Sequence, residues 1–277
     1  MDEKELYLEI KSFLDGSGIT NPLEAETIFA VAVGHLRIFI DGDKKVDDLS
    51  IQTARRLVKR RVEGYPLQYI ARSWPFMQFE LSVGEGVLIP RPETEDLCEY
   101  VLNLIEPLSS PRVLDLCSGT GCLAIAIKQA RQDAMVTALE FYNEAFQFLL
   151  ENINSNSLEI DSVQDDVFGY EKALNDDTID LIVCNPPYVS LNEYHELQKE
   201  LHYEPQQALT DNSDGMRFYR YIAREYKVKL KENGYIAFEI TPIRAEEVEE
   251  ILIAMSYRNV QIAKDRYGEK RIISAQR

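Results

Sequence analysis

Two stretches of the chain place chemistry-bearing residues on unusual backbone. The first is "LIVCNPPYVS", Leu181 to Ser190. Four apolar residues read as a buried strand, and the chain then meets Asn185, Pro186, Pro187 and Tyr188. Proline fixes φ and has no backbone N–H, so two in a row make a stiff elbow whose carbonyls point in set directions. The Asn185 side-chain oxygen and the Pro186 carbonyl can accept both hydrogens of one planar NH2 group, and Tyr188 can stack on its plane. The second stretch, "VLDLCSGTGCLAIAI", is a strand, a glycine turn and a helix. Gly119 and Gly121 permit a tight turn and close approach of the backbone to a ligand. Amides at the following helix N-terminus can face a carboxylate or another polar group. Alone, this loop also reads as a ligand-free turn. A dinucleotide fingerprint asks for a third glycine, and Leu123-Ala124 stand in its place.

Two further acids raise the odds of a ligand. Glu140 ends the next strand, in "TALEFYN". A carboxylate at that tip suits a ribose diol, whose two hydroxyls it can accept together. The third strand ends in "QDDVF". Asp166 can accept from an adenine amino group, and Phe168 can cover the base plane. Ligands of open α/β sheets bind at these carboxyl ends. Cys98, Cys117, Cys122 and Cys184 form no C-x-x-C pair and lie away from the histidines. Neither a metal site nor a disulfide framework is expected.

The elements that must hold these residues follow from periodicity. Residues 1–75 read as helices. Leu6, Ile10 and Leu14 fall at helical spacing, Pro22 opens a second helix, and "VDDLSIQTARRLVKRRVEG" forms a third that closes at Gly64. Residues 76–92, with a Gly-Glu-Gly turn, read as a β-hairpin linker. Thr94 is a candidate N-cap for the helix that follows. From Arg112 strands and helices alternate, and the chain closes on a hairpin about Tyr267-Gly268. That alternation predicts an α/β fold over 93–277, a mostly parallel sheet with helices on both faces and one antiparallel strand from the terminal hairpin.

With 277 residues, 45% hydrophobic and 28% charged, the composition is that of a globular protein with one large domain or two smaller ones. No apolar run is long enough for a membrane span, and the acidic N-terminus has no signal-peptide pattern. A cytoplasmic protein is expected, acting as a monomer. The net charge of −17 argues against broad affinity for nucleic acid. The run "ARRLVKRR", Ala54 to Arg61, reads as a solvated helix face or a local basic patch. His195 and His202 read as surface or packing residues.

Asn-Pro-Pro-Tyr with this glycine loop resembles S-adenosylmethionine-dependent methyltransferases that act on planar nitrogen, either adenine N6 or a glutamine amide. "EGYPLQYI" (Glu63–Ile70), "VLIPRPETE" (Val87–Glu95) and "YEPQQALTDNSDGMRFYRYI" (Tyr203–Ile222) resemble the HemK/PrmC family. That family methylates N5 of the glutamine in the Gly-Gly-Gln motif of peptide chain release factors. The resemblance covers roughly residues 60–277; the first sixty match it only in being a helical module. It implies a Rossmann-like class I methyltransferase fold with a seven-stranded sheet. The composition shift at "SWPFMQFELSV" sets residues 1–75 apart as a module expected to recognise the protein substrate. The resemblance implies that Asp115, Cys117, Ser118, Gly119, Thr120 and Gly121 hold the methionine end of S-adenosylmethionine. Glu140 would hold the ribose, and Asp166 with Phe168 the adenine side. Asn185 would lie between cofactor and substrate, with Pro186, Pro187 and Tyr188 completing a catalytic glutamine site. The chain departs from the family in three places. Cys117 replaces the first loop glycine, Glu140 an Asp, and Phe168 a Trp. Binding is expected to survive, because Gly119 and Gly121 remain. Alternative substrates are a ribosomal-protein glutamine, whose enzymes usually diverge in "VLIPRPETE", and adenine N6 in nucleic acid, which the acidic charge disfavours.

Overall fold

The computed structural model describes residues 1–35, 40, 42 and 44–277. These fall into two compact units. The first comprises Met1–Trp74, Val83–Glu85 and Gln198–Tyr203; the second comprises Pro75–Ser82, Gly86–Leu197 and Glu204–Arg277.

The first unit is built on α1 (Glu3–Gly16), α2 (Pro22–Val33), α3 (Asp48–Val62) and the short α4 (Leu67–Ala71). Asp2 and Glu5 close a capping box at the start of α1, each carboxylate accepting the other's backbone N–H at 2.9 and 2.8 Å. Leu6, Ile10 and Leu14 are fully buried with Ile28 and Phe29 of α2 and Ala54 and Val58 of α3. The basic run on α3 is a solvated face at Arg55, Arg56 and Lys59, and an ion-paired one toward Arg61. Arg55 pairs with Glu9 at 2.7 Å, Arg60 with Glu85 at 2.9 Å, and the largely buried Arg61 with Glu24 at 2.7 Å and Glu200 at 2.6 Å. These guanidinium groups are engaged by carboxylates far away in sequence.

The hairpin is shorter and earlier than the pattern over 76–92 predicts. Its strands are β1 (Ser73–Phe76) and β2 (Phe79–Ser82). The chain reverses at Met77-Gln78, where Met77 takes φ 52 and its N–H donates to the Glu95 carboxylate at 2.7 Å. That anchor lies eighteen residues away, so no local signal announces it. The Gly84-Glu85-Gly86 stretch lies beyond the hairpin.

The second unit holds a seven-stranded sheet in the order β5-β4-β3-β6-β7-β9-β8. Its strands are β3 (Arg112–Leu116), β4 (Met135–Glu140), β5 (Asp161–Gln164), β6 (Ile179–Cys184), β7 (Leu230–Glu239), β8 (Arg258–Lys264) and β9 (Lys270–Gln276). The first five are parallel, and β9 runs antiparallel between β7 and β8. The helices are α5 (Pro92–Ile105), α6 (Cys122–Ala130), α7 (Asn143–Ser155), α8 (Val167–Tyr170), α9 (Leu191–Tyr194), α10 (Gln206–Leu209), α11 (Arg217–Glu225) and α12 (Ala245–Ala254). Every residue of β6 is buried, as expected of a strand covered on both faces. Leu114, Ile182, Tyr219, Tyr226 and Phe238 anchor one large apolar core. From β3 the chain steps through β4 to β5 on one side, then returns to place β6 on the other. The order reverses between β3 and β6, and a reversal of that kind opens a crevice at the carboxyl ends. Among the described residues no helix is long and apolar enough to cross a membrane.

Candidate active site

A cavity occupies that crevice, walled entirely by the second unit. In sheet order the strand ends contribute Asp166 beyond β5, Glu140 at the tip of β4, Asp115 on β3, and Asn185 just beyond β6. Cys117, Ser118, Gly119 and Thr120 form the floor between β3 and α6, and Phe168 and Pro187 complete the named wall. Gly121, Pro186 and Tyr188 are not in it.

The floor is fixed by its own hydrogen bonds. Gly119 N–H donates to Glu140 Oε2 and Tyr142 N–H to Glu140 Oε1, both at 2.9 Å, so the buried carboxylate clamps the glycine turn to the end of β4. Burial pushes the Glu140 carboxyl up, and these backbone donors hold it down. Cys117 takes φ 58, a left-handed conformation that explains a preference for glycine there and costs a β-carbon roughly 1–2 kcal/mol. Gly121 also has a packing reason to be glycine. A Cβ on it would lie 2.5 Å from Leu149 Cδ1 of α7, and its φ of 83 turns the chain into α6.

Asp115 is the electrostatic anomaly of the site. It is 1% exposed, and neither carboxylate oxygen has a hydrogen-bond partner. The Ser118 hydroxyl donates instead to the Asp115 backbone carbonyl at 3.0 Å. Burial pushes the carboxyl up to about 7; the Ser118 hydroxyl and the Ala124 N–H are close enough to oppose this in part, but neither makes a well-formed hydrogen bond to it. An unpartnered buried carboxylate in a cavity wall calls for a cationic guest.

Asp166 caps α8 by accepting from Phe168 N–H at 2.9 Å, which leaves its second oxygen available. The Phe168 ring meets Phe218 and Tyr221 at centroid distances of 4.9 and 4.8 Å, and the Arg217 guanidinium lies 4.1 Å over it. Arg217 and Phe218 thus belong to the cavity wall, which the sequence pattern alone did not single out.

At the other end Asn185 Nδ2 donates to Thr94 Oγ1 at 3.2 Å, and Thr94 Oγ1 donates to Glu239 Oε2 at 2.6 Å. Thr94 is therefore not the N-cap of α5. The helix opens one turn earlier at Pro92, behind Arg91, and the Thr94 hydroxyl turns into the protein. Tyr188 lies behind the cavity with its hydroxyl 3.4 Å from Glu239 Oε1. Its carbonyl would meet a Cβ on Gly215 at 2.4 Å, so the Asn-Pro-Pro-Tyr loop rests against a bare backbone. Arg91, another wall residue, is held by Glu204, which also accepts from Ile89 N–H at 2.9 Å. His195 and His202 are exposed and outside the wall.

Cavity and sheet order together define the class I methyltransferase fold. A methyltransferase from Pyrococcus furiosus superposes with a TM-score of 0.52 at 17% identity, over 82% of this chain and 98% of that one. The 16S rRNA N2 G1207 methyltransferase of T. thermophilus, in complex with AdoMet and guanosine, superposes at 0.53 and 20% identity, over 74% of this chain and 49% of that one. Residues 97–218 match the methyltransferase small domain and residues 5–71 the PrmC N-terminal domain. The release factor glutamine methyltransferase of Fusobacterium nucleatum is 37% identical over all of this chain and 80% of its own length. That of Rhodopirellula baltica is 32% identical over 96% of this chain and 93% of its own. The chain belongs to the release factor glutamine methyltransferase family.

Proposed function

We propose that this enzyme transfers a methyl group from S-adenosylmethionine to N5 of the glutamine in the Gly-Gly-Gln motif of peptide chain release factors. The observation that carries the reading is the Asn185 carboxamide. Its nitrogen is engaged by Thr94, which leaves its oxygen as the acceptor for a substrate amide. The names of the relatives support the substrate class.

The wall suits the cofactor. The unpartnered Asp115 carboxylate matches a cationic ammonium at the methionine end, beside Cys117, Ser118, Gly119 and Thr120. Gly121 holds that loop against α7. Glu140 presents its remaining lone pairs to ribose hydroxyls, and Asp166 with Phe168 takes the adenine side. When bound, S-adenosylmethionine supplies an electrophilic methyl on a sulfonium. The protein's own task is position and electrostatics, because an amide nitrogen is a poor nucleophile. Asn185 and the Pro186 carbonyl accept the two amide hydrogens, and Pro187 and Tyr188 keep the loop rigid. Such positioning is worth up to roughly 7–11 kcal/mol. The same acceptors stabilise positive charge that grows on nitrogen in the transition state. No strong base is needed.

Glu140→Ala is expected to weaken S-adenosylmethionine binding about 10–100-fold, since it removes a charged acceptor and frees the Gly119 amide. Calorimetry reads this directly, and unchanged affinity would remove Glu140 from the site.

Residues 1–75 act as the module that recognises the protein substrate, 76–92 as the link, and 93–277 as the catalytic domain. The full chain is expected to methylate whole release factor with a lower KM than a short peptide carrying the same glutamine. The enzyme works as a cytoplasmic monomer. Its four free thiols suit a reducing compartment. The test is transfer of labelled methyl from S-adenosylmethionine to release factor, ribosomal protein and DNA. Label is expected in release factor and absent when the motif glutamine is replaced. Label confined to ribosomal protein or DNA overturns the assignment.

A further inference from the structure

Glu239 is the last residue of β7, and Cys184 pairs with Phe238 in the parallel β6–β7 register. That register sets Glu239 beside Asn185 at neighbouring strand tips. Glu239 is 1% exposed and belongs to no part of the cavity wall, yet its carboxylate is tied to both ends of the Asn-Pro-Pro-Tyr loop. One oxygen accepts from Thr94, which in turn accepts from Asn185; the other lies against the Tyr188 hydroxyl.

The polarity of this chain follows from proton counting. A threonine hydroxyl has one proton. Opposite an ionised carboxylate at 2.6 Å, Thr94 must give that proton to Glu239. Only lone pairs then remain for Asn185, so the carboxamide must turn its NH2 to Thr94 and its oxygen the other way. Were Glu239 to carry the proton, it could donate to Thr94. The Thr94 proton would then be free for the Asn185 oxygen, and the carboxamide could turn over. Its NH2 would face a substrate NH2, two donors with no acceptor between them.

We propose that Glu239, acting through the Thr94 hydroxyl, is a positioning residue for methyl transfer that fixes which end of the Asn185 carboxamide faces the cavity. The proposal rests on the reading of Asn185 as the acceptor of the substrate amide. The groups around Glu239 set the pH at which it operates. Burial, with a smaller push from Glu93 on α5, raises its carboxyl; Thr94, Arg271 on β9 and Tyr188 oppose them, and the outcome is a value of about 7. Tyr219 on α11 donates to the Glu239 backbone carbonyl at 2.7 Å, and Cys122 on α6 is a further titratable neighbour. Arg271 is shared with Glu93 at 3.9 Å and Asp265 at 3.6 Å, so it does not neutralise Glu239 alone.

The test is single-turnover methylation at saturating cofactor, which removes any contribution of Asp115 to cofactor affinity. Thr94→Val, nearly isosteric, is expected to slow turnover about 10–100-fold, the range typical of losing a group that orients a ligand. Cofactor affinity should stay within about threefold, because Thr94 contributes orientation rather than binding there. Thr94→Ser keeps the hydroxyl and should restore most of the rate. Wild-type turnover should fall as pH drops through about 7. Glu239→Gln, which cannot ionise, should be slower at high pH and flat across that window. Wild-type turnover by Thr94→Val, equal impairment of Thr94→Val and Thr94→Ser, or an acid limb that persists in Glu239→Gln each overturn the proposal. Should Thr94→Val fail to fold, the Glu239→Gln profile decides alone. A slow Asn185→Ala beside a normal Thr94→Val sinks only the relay; a normal Asn185→Ala sinks the acceptor reading and the relay with it.

Discussion

Asn185→Ala is expected to slow single-turnover methylation about 10²–10³-fold, the usual loss when one preorganised contact that strengthens in the transition state is removed. The side chain stands just past β6, half-buried, with its nitrogen on Thr94 at 3.2 Å. Truncation leaves the apolar core under β6 intact and deprives Thr94 of one donor. Stability should therefore fall by no more than about 1 kcal/mol. Cofactor affinity should fall less than turnover, because Asn185 borders only one end of the cavity. If Asn185 merely ends the strand before two prolines, the opposite pattern holds, with a lower melting temperature and a folded fraction that turns over normally. Thermal denaturation and turnover on the same preparation separate the two.

The strand-tip logic of the site was legible because it is local. An apolar run that stops at Asn185-Pro186, a strand that runs into Gly119, and strands that end in Glu140 and Asp166 each announce themselves within ten residues. Parallel α/β topology then gathers these tips at one edge, and the structure has Asp166, Glu140, Asp115 and Asn185 on or just beyond consecutive strands β5-β4-β3-β6. The remainder was illegible because it depends on pairing across long separations. Glu239 sits in "YIAFEI", where an acid between apolar residues reads as a strand end. Its partner Thr94 is 145 residues away. Thr94 itself resembles a helix cap, and only the inward turn of α5 shows otherwise. The same holds for Arg61, whose partners lie 37 and 139 residues away and draw one end of the basic face into ion pairs. At Gly121 the neighbour Leu149 on α7 adds a steric reason for glycine that spacing does not reveal.

Asp115→Asn is expected to strengthen the fold while weakening the cofactor site, a combination that no purely structural role produces. The carboxyl of Asp115 is raised by burial from the ordinary carboxylate range up to about 7. An acid whose folded pKa is raised contributes stability that is present below its unfolded pKa, near pH 4, and lost as pH climbs through about 7. Above pH 7 the ligand-free protein therefore carries an ionised, unpartnered carboxylate in its interior, at a cost of at most roughly 4 kcal/mol. Asparagine removes that charge. The melting temperature of the ligand-free variant should rise by several degrees at pH 8, about 2–4 °C per kcal/mol for a chain of this size, and converge on wild type toward pH 4. Cofactor affinity should move the other way, by about 30-fold or more, because a cationic ammonium loses the buried wall carboxylate that has no hydrogen-bond partner of its own. In the wild type the dissociation constant should rise about tenfold between pH 8 and pH 6 as Asp115 takes up its proton, and binding near pH 6 should release a proton to buffer. Asp115→Asn should abolish both effects. Calorimetry in buffers of different ionisation enthalpy, with melting curves of the same samples, measures all of these. A variant that is less stable at pH 8 and binds the cofactor normally would make Asp115 a structural residue and move the ammonium to another carboxylate of the wall.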